Sequence, residues 1–265
     1  PLKGLWSSSL SADQYVEYVE RIRESVAEGW VYQVNACRRL SHSDDGQSLR
    51  GLFSEILKKN PAPWASYFEV PGVMIASASP ELFLSRNGST VKSSPIKGTQ
   101  ATNSQQFGAK DQAENVMIVD LMRNDLGQIC KSGTVEVPRL LSSEEHPGLQ
   151  HLVSDVQGEL LEGISWKQIF TALSPPGSVS GAPKSSATQV IAENEIVRGP
   201  YCGALGWIQG DQAVLSVAIR TFWKDTNINF GTGAGITWGS NARAEWEETQ
   251  LKAKRLISIA GGELQ

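Results

Sequence analysis

The chain has 265 residues, 40% of them hydrophobic and 20% charged, with a formal net charge of −4. That balance suits a soluble globular protein with a sizeable core and excludes the basic field that draws nucleic acid. No apolar run approaches the roughly 20 residues that span a bilayer, and no signal peptide is visible, so no membrane partner is expected.

Residues 11–28 read as a helix. Ser11 and Gln14 make a capping box, Val16, Val19, Ile22 and Val26 form an apolar stripe, and Gly29 ends it. A strand over 31–41 follows, then a helix near 47–59 that stops before Pro61. WASYFEV, VMIASAS and ELFLSRNGSTVKSSPI read as strands, the last folded into a hairpin on Asn87-Gly88. A helix near 110–126 leads into TVEVPRLLS and HLVSDVQGEL. Helices near 166–173 and 182–195 precede a meander of CGALGWIQ, AVLSVAIRTFW and INFGTGAGIT. Helix plus antiparallel meander, occurring twice, predicts an α+β fold of two pseudo-repeated halves whose antiparallel sheets form a layered core surrounded by helices. One domain over 1–265 is expected. The chain starts at Pro1, which reads as a processed or excised piece of something longer. Cys37, Cys130 and Cys202 are widely separated and form no CxxC pattern, pointing to a reducing cytoplasm.

Two glycine motifs read first as tight turns. Gly177-Ser-Val-Ser-Gly181-Ala-Pro-Lys184 has the wrong spacing for a P-loop, and in Gly231-Thr-Gly233-Ala-Gly235 the third glycine comes too early for a dinucleotide fingerprint. Their functional alternative is a bed of backbone N–H groups facing an anion. The last helix, starting near Ser240 or Asn241, sets Glu245, Glu248, Lys252 and Arg255 on one face, with Glu248–Lys252 as an i,i+4 pair. Glu114 opens AENVMIVDLMRNDL, a helix apolar almost all round and therefore expected to be buried. Two carboxylates from two helices, with open water positions, suit Mg²⁺ rather than zinc. In SPIKGT, Lys97 stands between a proline that fixes the chain and a glycine that lets backbone approach a ligand. A desolvated lysine there becomes a nucleophile near neutral pH.

Taken in order, YQVN (32–35), SPELFL (79–84), PIKGT (95–99), AENVMIVDLMRNDLG (114–127), HLVS (151–154), GSVSGAPK (177–184), YCGALGW (201–207), AIRT (218–221), GTGAG (231–235) and EWEETQLK (245–252) resemble the chorismate-binding family. The resemblance runs from about Tyr15 to about Ile259. Within it, the lysine of PIKGT is similar to the aminodeoxychorismate synthase component I branch; anthranilate synthases generally read PIAGT.

The resemblance implies conversion of chorismate and ammonia to 4-amino-4-deoxychorismate, on the way to para-aminobenzoate and folate. It makes Lys97 the nucleophile at C2 and Glu81 the acid for the departing C4 hydroxyl. Glu114 and Glu248 match Mg²⁺ ligands, with Glu245 beside them. Tyr201, Arg220, Lys252 and the amides of Gly233 and Gly235 match groups that hold substrate carboxylates. Gly98 and Ser178 match pocket-lining positions, and His151 a histidine near the enolpyruvyl side chain. Gln33 stands where isochorismate-forming members carry a lysine base, which argues against hydration. Ser94 and Gln100 depart from the arginines common on either side of the motif. No cysteine lies in a glycine-flanked nucleophile turn, so ammonia is expected free or from a separate glutamine amidotransferase subunit. Anthranilate synthase component I and a non-catalytic, truncated chorismate-binding module are the alternatives.

Overall fold

The computed structural model describes residues 2–43, 46, 48–101, 107–146 and 149–264. In chain order the elements are β1 (Leu2–Ser8), α1 (Ala12–Ala27), β2 (Gln33–Ser43), α2 (Arg50–Lys59), β3 (Trp64–Val70), β4 (Val73–Ser79), β5 (Leu82–Asn87), β6 (Thr90–Ser94) and β7 (Ile96–Ala101). They continue with α3 (Ala109–Gly127), β8 (Glu136–His146), β9 (Leu149–Glu159), α4 (Trp166–Leu173), α5 (Gly177–Ser180), β10 (Gly181–Ala182) and α6 (Lys184–Asn194). Then come β11 (Ala204–Gln209), β12 (Gln212–Val217), β13 (Thr221–Lys224), β14 (Asn227–Ile236), α7 (Ala242–Ala260) and β15 (Gly261–Leu264).

These elements form two compact units. The first holds the chain up to Pro80, Val179–Cys202 and the chain from Ala218 on; the second holds Glu81–Ser178 and Gly203–Val217. The first unit's sheet runs β15-β1-β2-β14-β13-β4-β3, with β10 also on β2. All its pairs are antiparallel except β1 with β15. The second unit's sheet runs β11-β12-β5-β6-β9-β7, with β8 also on β9, and is antiparallel throughout.

The α+β class and its antiparallel sheets are as the patterning predicts, but the units are not consecutive halves. The run AVLSVAIRTFW, read as one strand, is two. Its first part, β12, pairs with β5 in the second unit; its last part, β13, pairs with β4 and β14 in the first. The break lies at 218–220, where Arg220 adopts φ +51°, a left-handed conformation outside the extended region of a regular strand.

In the first unit, α1 begins at the expected capping box, Ser11 accepting from Gln14 N–H and the Gln14 side chain from Ser11 N–H. Tyr15, Tyr18, Val19 and Ile22 are its buried face, packed with Val34, Ala36, Ile236 and Trp246. A second cluster joins Trp6, Leu40, Phe222 and Phe230 of the sheet to Ile56 of α2 and Leu256 and Ile257 of α7. These even-numbered strand residues share one face of the sheet because side chains alternate along a strand. Helix α7 starts at Asn241, whose side chain accepts from Ala244 N–H.

In the second unit, α3 buries Ile118, Val119, Met122 and Leu126, yet Val116 is exposed and Asp120 pairs with Arg123 in solvent. It is a one-sided surface helix rather than a helix buried all round. The hairpin turn also differs by one residue: Asn87 pairs with Thr90, so Gly88 and Ser89 are the loop. Gly88 supplies the φ of +62° that this two-residue turn requires.

Candidate active site

The residues expected to carry the chemistry fall in the second unit. β6 and β7 pair with the same strand, β9, and the register explains the shape of the lysine loop. Ser93 lies opposite Val156 and Ile96 opposite Val153, but Thr99 lies opposite His151. Lys97 and Gly98 therefore share a single partner position, Leu152, and form a β-bulge. Bulges re-aim a side chain, and a glycine at φ +81° makes this one accessible. A Cβ on Gly98 would lie 3.1 Å from both Asp111 Cβ and Phe107 Cδ1. The segment after Pro95 is thus strand, not the loop that the sequence suggests. The side chain of Gln100 lies outside the described residues.

Lys97 Nζ donates to the carbonyl oxygen of Ser178 at 2.9 Å. A Cβ on Gly177, just before it, would overlap the end of the Leu121 side chain, which would have to shift. Glu81 is buried, at 4% exposure. Burial pushes its carboxyl up to about 7, against the opposing pull of the Ser178 side chain, the Lys97 charge and the Ile96 N–H. The structure thus brings Lys97, Glu81 and Ser178 together. Glu114 stands half-buried on α3, next to Asn115, whose amide donates to Leu152 O at 3.1 Å and whose oxygen accepts from Ser154 Oγ. His151 is buried in β9 at 1% exposure.

The remaining expected residues fall in the first unit, on β2, β14, α7 and the segments holding Tyr201 and Arg220. The 231–235 glycine run is neither a tight turn nor a helix start; it lies inside β14. The 177–184 run forms α5 and β10, with Pro183 as the cap of α6. Glycine is required at 233, where a Cβ would sit 2.6 Å from Ala36 O and Cys37 Sγ. Lys252 Nζ donates to Gly233 O at 3.0 Å and pairs with Glu248 at 2.6 Å. In an extended strand the N–H and C=O of one residue point to the same edge. The amides of Gly233 and Gly235 therefore face the edge of β14 beyond Phe230, where pairing with β13 ends. Glu245 is buried at 4% exposure, whereas the side chains of Glu248 and Lys252 are about half exposed, at 46% and 44%. The expected common face of α7 is therefore graded from core to surface.

Tyr201 packs its ring on Gly231, its hydroxyl lies 3.9 Å from Cys37 Sγ, and burial first of all raises its pKa. It stays a neutral hydroxyl. Burial, reinforced by the like charge of Arg255, lowers the pKa of Arg220. A cation disfavoured where it stands gains from an arriving anion. Gln33 is 1% exposed, and neither its amide oxygen nor its nitrogen has a hydrogen-bond partner among the described residues. An orphaned buried amide is one that a bound molecule can satisfy.

Among the described residues no three His, Cys, Asp or Glu side chains gather as a ready-made metal cage. Carboxylate oxygens such as those of Glu114, Glu245 and Glu248 are nonetheless the donors that Mg²⁺ takes, one or two at a time with water completing the shell.

A family profile described as chorismate binding enzyme matches residues 1–258. The chain is 35% identical to anthranilate synthase component 1 of Saccharolobus solfataricus over 97% of its own length and 64% of that protein. It is 33% identical to aminodeoxychorismate synthase component 1 of Bacillus subtilis, over 94% of this chain and 56% of that one. Among solved structures, anthranilate synthase component I from Streptococcus pneumoniae superposes with a TM-score of 0.86 at 30% identity, covering 95% of this chain and 59% of the other. The menaquinone-specific isochorismate synthase MenF of Escherichia coli shares the fold, with a TM-score of 0.83 at 20% identity over 98% of this chain and 65% of that one. The chain spans between about half and two thirds of the length of these curated relatives. With its fold, its ordered sequence blocks and the matching profile, this chain belongs to the chorismate-binding enzyme family.

Proposed function

We propose that this chain is the chorismate-converting component of an aminodeoxychorismate synthase. One observation carries the reading: a lysine re-aimed by a bulge and held at 2.9 Å from the Ser178 carbonyl lies within electrostatic reach of a buried carboxyl with a pKa of about 7. A carboxyl protonated up to neutrality can act as an acid, and an amine on a partly buried strand bulge can act as a nucleophile. The Lys97 nitrogen bonds to C2 of chorismate while the C4–O bond breaks, and the hydroxyl leaves as water with the Glu81 proton. The proton released by the lysine nitrogen restores the acid. Ammonia then bonds to C4, the C2–nitrogen bond breaks, and the proton lost by ammonia returns to the lysine. The sum is chorismate plus ammonia to aminodeoxychorismate plus water.

Tyr201 and Arg220 are proposed to hold a substrate carboxylate, Arg220 through a two-pronged pair. The amides of Gly233 and Gly235 and the Lys252 ammonium serve the other, with Gln33, Gly98 and Ser178 lining the substrate and His151 near its enolpyruvyl group. Glu114 and Glu248, with Glu245 adjacent, are the proposed Mg²⁺ ligands. The bound ion would offset the charge of the ring carboxylate. Glu248 pairs with Lys252 at 2.6 Å, so the carboxylate that would take the ion stands beside the ammonium proposed for the substrate. A glutamine amidotransferase is the proposed ammonia source, and the cytoplasm the proposed location.

Incubation with chorismate, Mg²⁺ and ammonium is expected to give aminodeoxychorismate by mass spectrometry. Release of pyruvate with a fluorescent aromatic product instead would identify an anthranilate synthase. Thermal stabilisation by chorismate and Mg²⁺ with no product, even with an amidotransferase subunit present, would identify a binding module.

A further inference from the structure

We propose that Asp155, clamped by Arg139 and Lys92 and bonded to Ser94, is a positioning residue that fixes where the Lys97 bulge starts. The proposal rests on the reading of Lys97 as the nucleophile, and its structural part is tested apart from that reading. β6 and β7 follow one register along β9 as far as Ile96. That register sets Ser94 opposite Asp155 and Pro95 opposite Ser154. Proline has no N–H, so the strand reaches the bulge without one of its ladder donors. The remaining backbone bond there, Ser154 N–H to Pro95 O, is long at 3.3 Å. A strand weakly tied at this point is free to slip by a residue, which would move the lysine to the other face.

Side chains supply the missing tie. Ser94 Oγ donates to Asp155 Oδ1 at 2.7 Å, and both residues are buried, at 8% and 6% exposure. The carboxylate is held in turn by Arg139, Nε to Oδ2 and Nη2 to Oδ1 at 3.0 Å each, and by Lys92 Nζ at 2.8 Å from Oδ2. Burial opposes the charged form of Asp155, but the bonds from Arg139, Lys92 and Ser94 outweigh it and leave the carboxyl below its ordinary range.

β8 is irregular in the way needed to bring Arg139 there. Its register with β9 shifts between Glu136 and Arg139 and again between Arg139 and Ser142, leaving Arg139 opposite Asp155. The second shift contains Leu141 at φ +53°, a strained conformation for leucine, with its N–H donated to Ser154 Oγ at 2.9 Å. Glu144 takes the other arm of the guanidinium. An ordinary strand pair needs none of this; two irregularities converge on one carboxylate opposite Ser94, which lies two residues before the strand that carries Lys97.

The test uses the whole chain and the variants Asp155→Asn, Ser94→Ala and Ser94→Thr. Acetic anhydride labelling read by peptide mass spectrometry gives the reactivity of Lys97 relative to the exposed Lys58, without any substrate. For Asp155→Asn and Ser94→Ala this ratio is expected to change by about threefold or more, and kcat to fall about tenfold with KM nearly constant. Ser94→Thr, which keeps the hydroxyl, is expected to restore both. A folded Ser94→Ala protein with the wild-type ratio and kcat overturns the proposal, and it decides the matter if Asp155→Asn does not fold. If the ratio responds while the wild type shows no turnover of chorismate, positioning of Lys97 stands and the nucleophile reading falls.

Discussion

Lys97 Nζ donates to the carbonyl oxygen of Ser178 at 2.9 Å, tying the bulge after β6 to the first turn of α5. Donation to the carbonyl orients the nitrogen, and the Lys97 charge is felt by the Glu81 carboxyl. Lys97→Ala is expected to lower product formation by about 10³-fold or more, as loss of a covalent nucleophile does. Intact-mass measurement with chorismate and no ammonium is expected to show an adduct on the wild type alone. A variant that keeps the adduct would place the covalent bond on another residue.

Glu81 gives a pH dependence with a definite sign. Its carboxyl is raised by burial from 4.5 to about 7, so the folded state binds the proton more tightly than the unfolded chain does. The resulting stability is fully present below the unfolded value and is lost as pH rises through about 7, by ~3 kcal/mol in all. Glu81→Gln, a neutral mimic of the acid, is expected to flatten that part of the stability profile when urea unfolding is followed between about pH 5 and about pH 8. Activity of the wild type is expected to fall over the same upper limb, and Glu81→Gln to lower the rate by about 10²- to 10⁴-fold. An unchanged slope in Glu81→Gln would show that Glu81 titrates elsewhere.

Local signals in the sequence recover most of the fold. The Ser11–Gln14 box, the Asn241 cap and the short strand-prone runs of β3 and β4 place those elements because the forces involved act within a few residues. What escapes is what depends on partners far along the chain. β1 and β15 pair with each other at opposite ends of the sequence, so neither has a local pattern to declare it. The split of AVLSVAIRTFW is hidden because both halves are buried strands and only Arg220's backbone marks the change of sheet. Lys97, Glu81 and Ser178 are found through ordered motifs, but the Asp155–Arg139 clamp is not, since nothing near Arg139 reveals two register shifts.

Gly98→Ala tests the bulge itself. The residue sits at φ +81°, and a methyl group would meet Asp111 and Phe107 at 3.1 Å. Both the backbone conformation and the space oppose a side chain, and the expected cost is about 1–3 kcal/mol. In thermal unfolding that corresponds to about 2–4 °C for each kcal/mol. The relaxed strand is also expected to lose the bulge and with it most of the activity. Full activity in a destabilised Gly98→Ala protein would separate the lysine's role from the bulge geometry.

Glu195 tests the buried polar hub behind Tyr201. Its carboxylate accepts from Tyr18 Oη at 2.9 Å, from Cys37 N–H at 2.8 Å and from Arg198 Nε at 2.7 Å. Arg198 also donates to Asn35 O at 2.7 Å and Val179 O at 3.0 Å, so the pair joins β2 to the segment leading to Tyr201. Glu195→Ala leaves the Arg198 guanidinium buried without its counter-ion, a loss expected at about 3–5 kcal/mol in denaturant unfolding. Removing Arg123 from its exposed pair with Asp120 is expected to cost less than about 0.5 kcal/mol, because water and entropy already cancel most of that attraction. Replacing both hub residues, Glu195→Leu with Arg198→Met, is expected to cost less than Glu195→Ala alone, since no charge is then left stranded. If the double variant is instead the less stable, the direct attraction between Glu195 and Arg198 outweighs their desolvation, and the hub is a net source of stability rather than a device for shaping the Tyr201 segment.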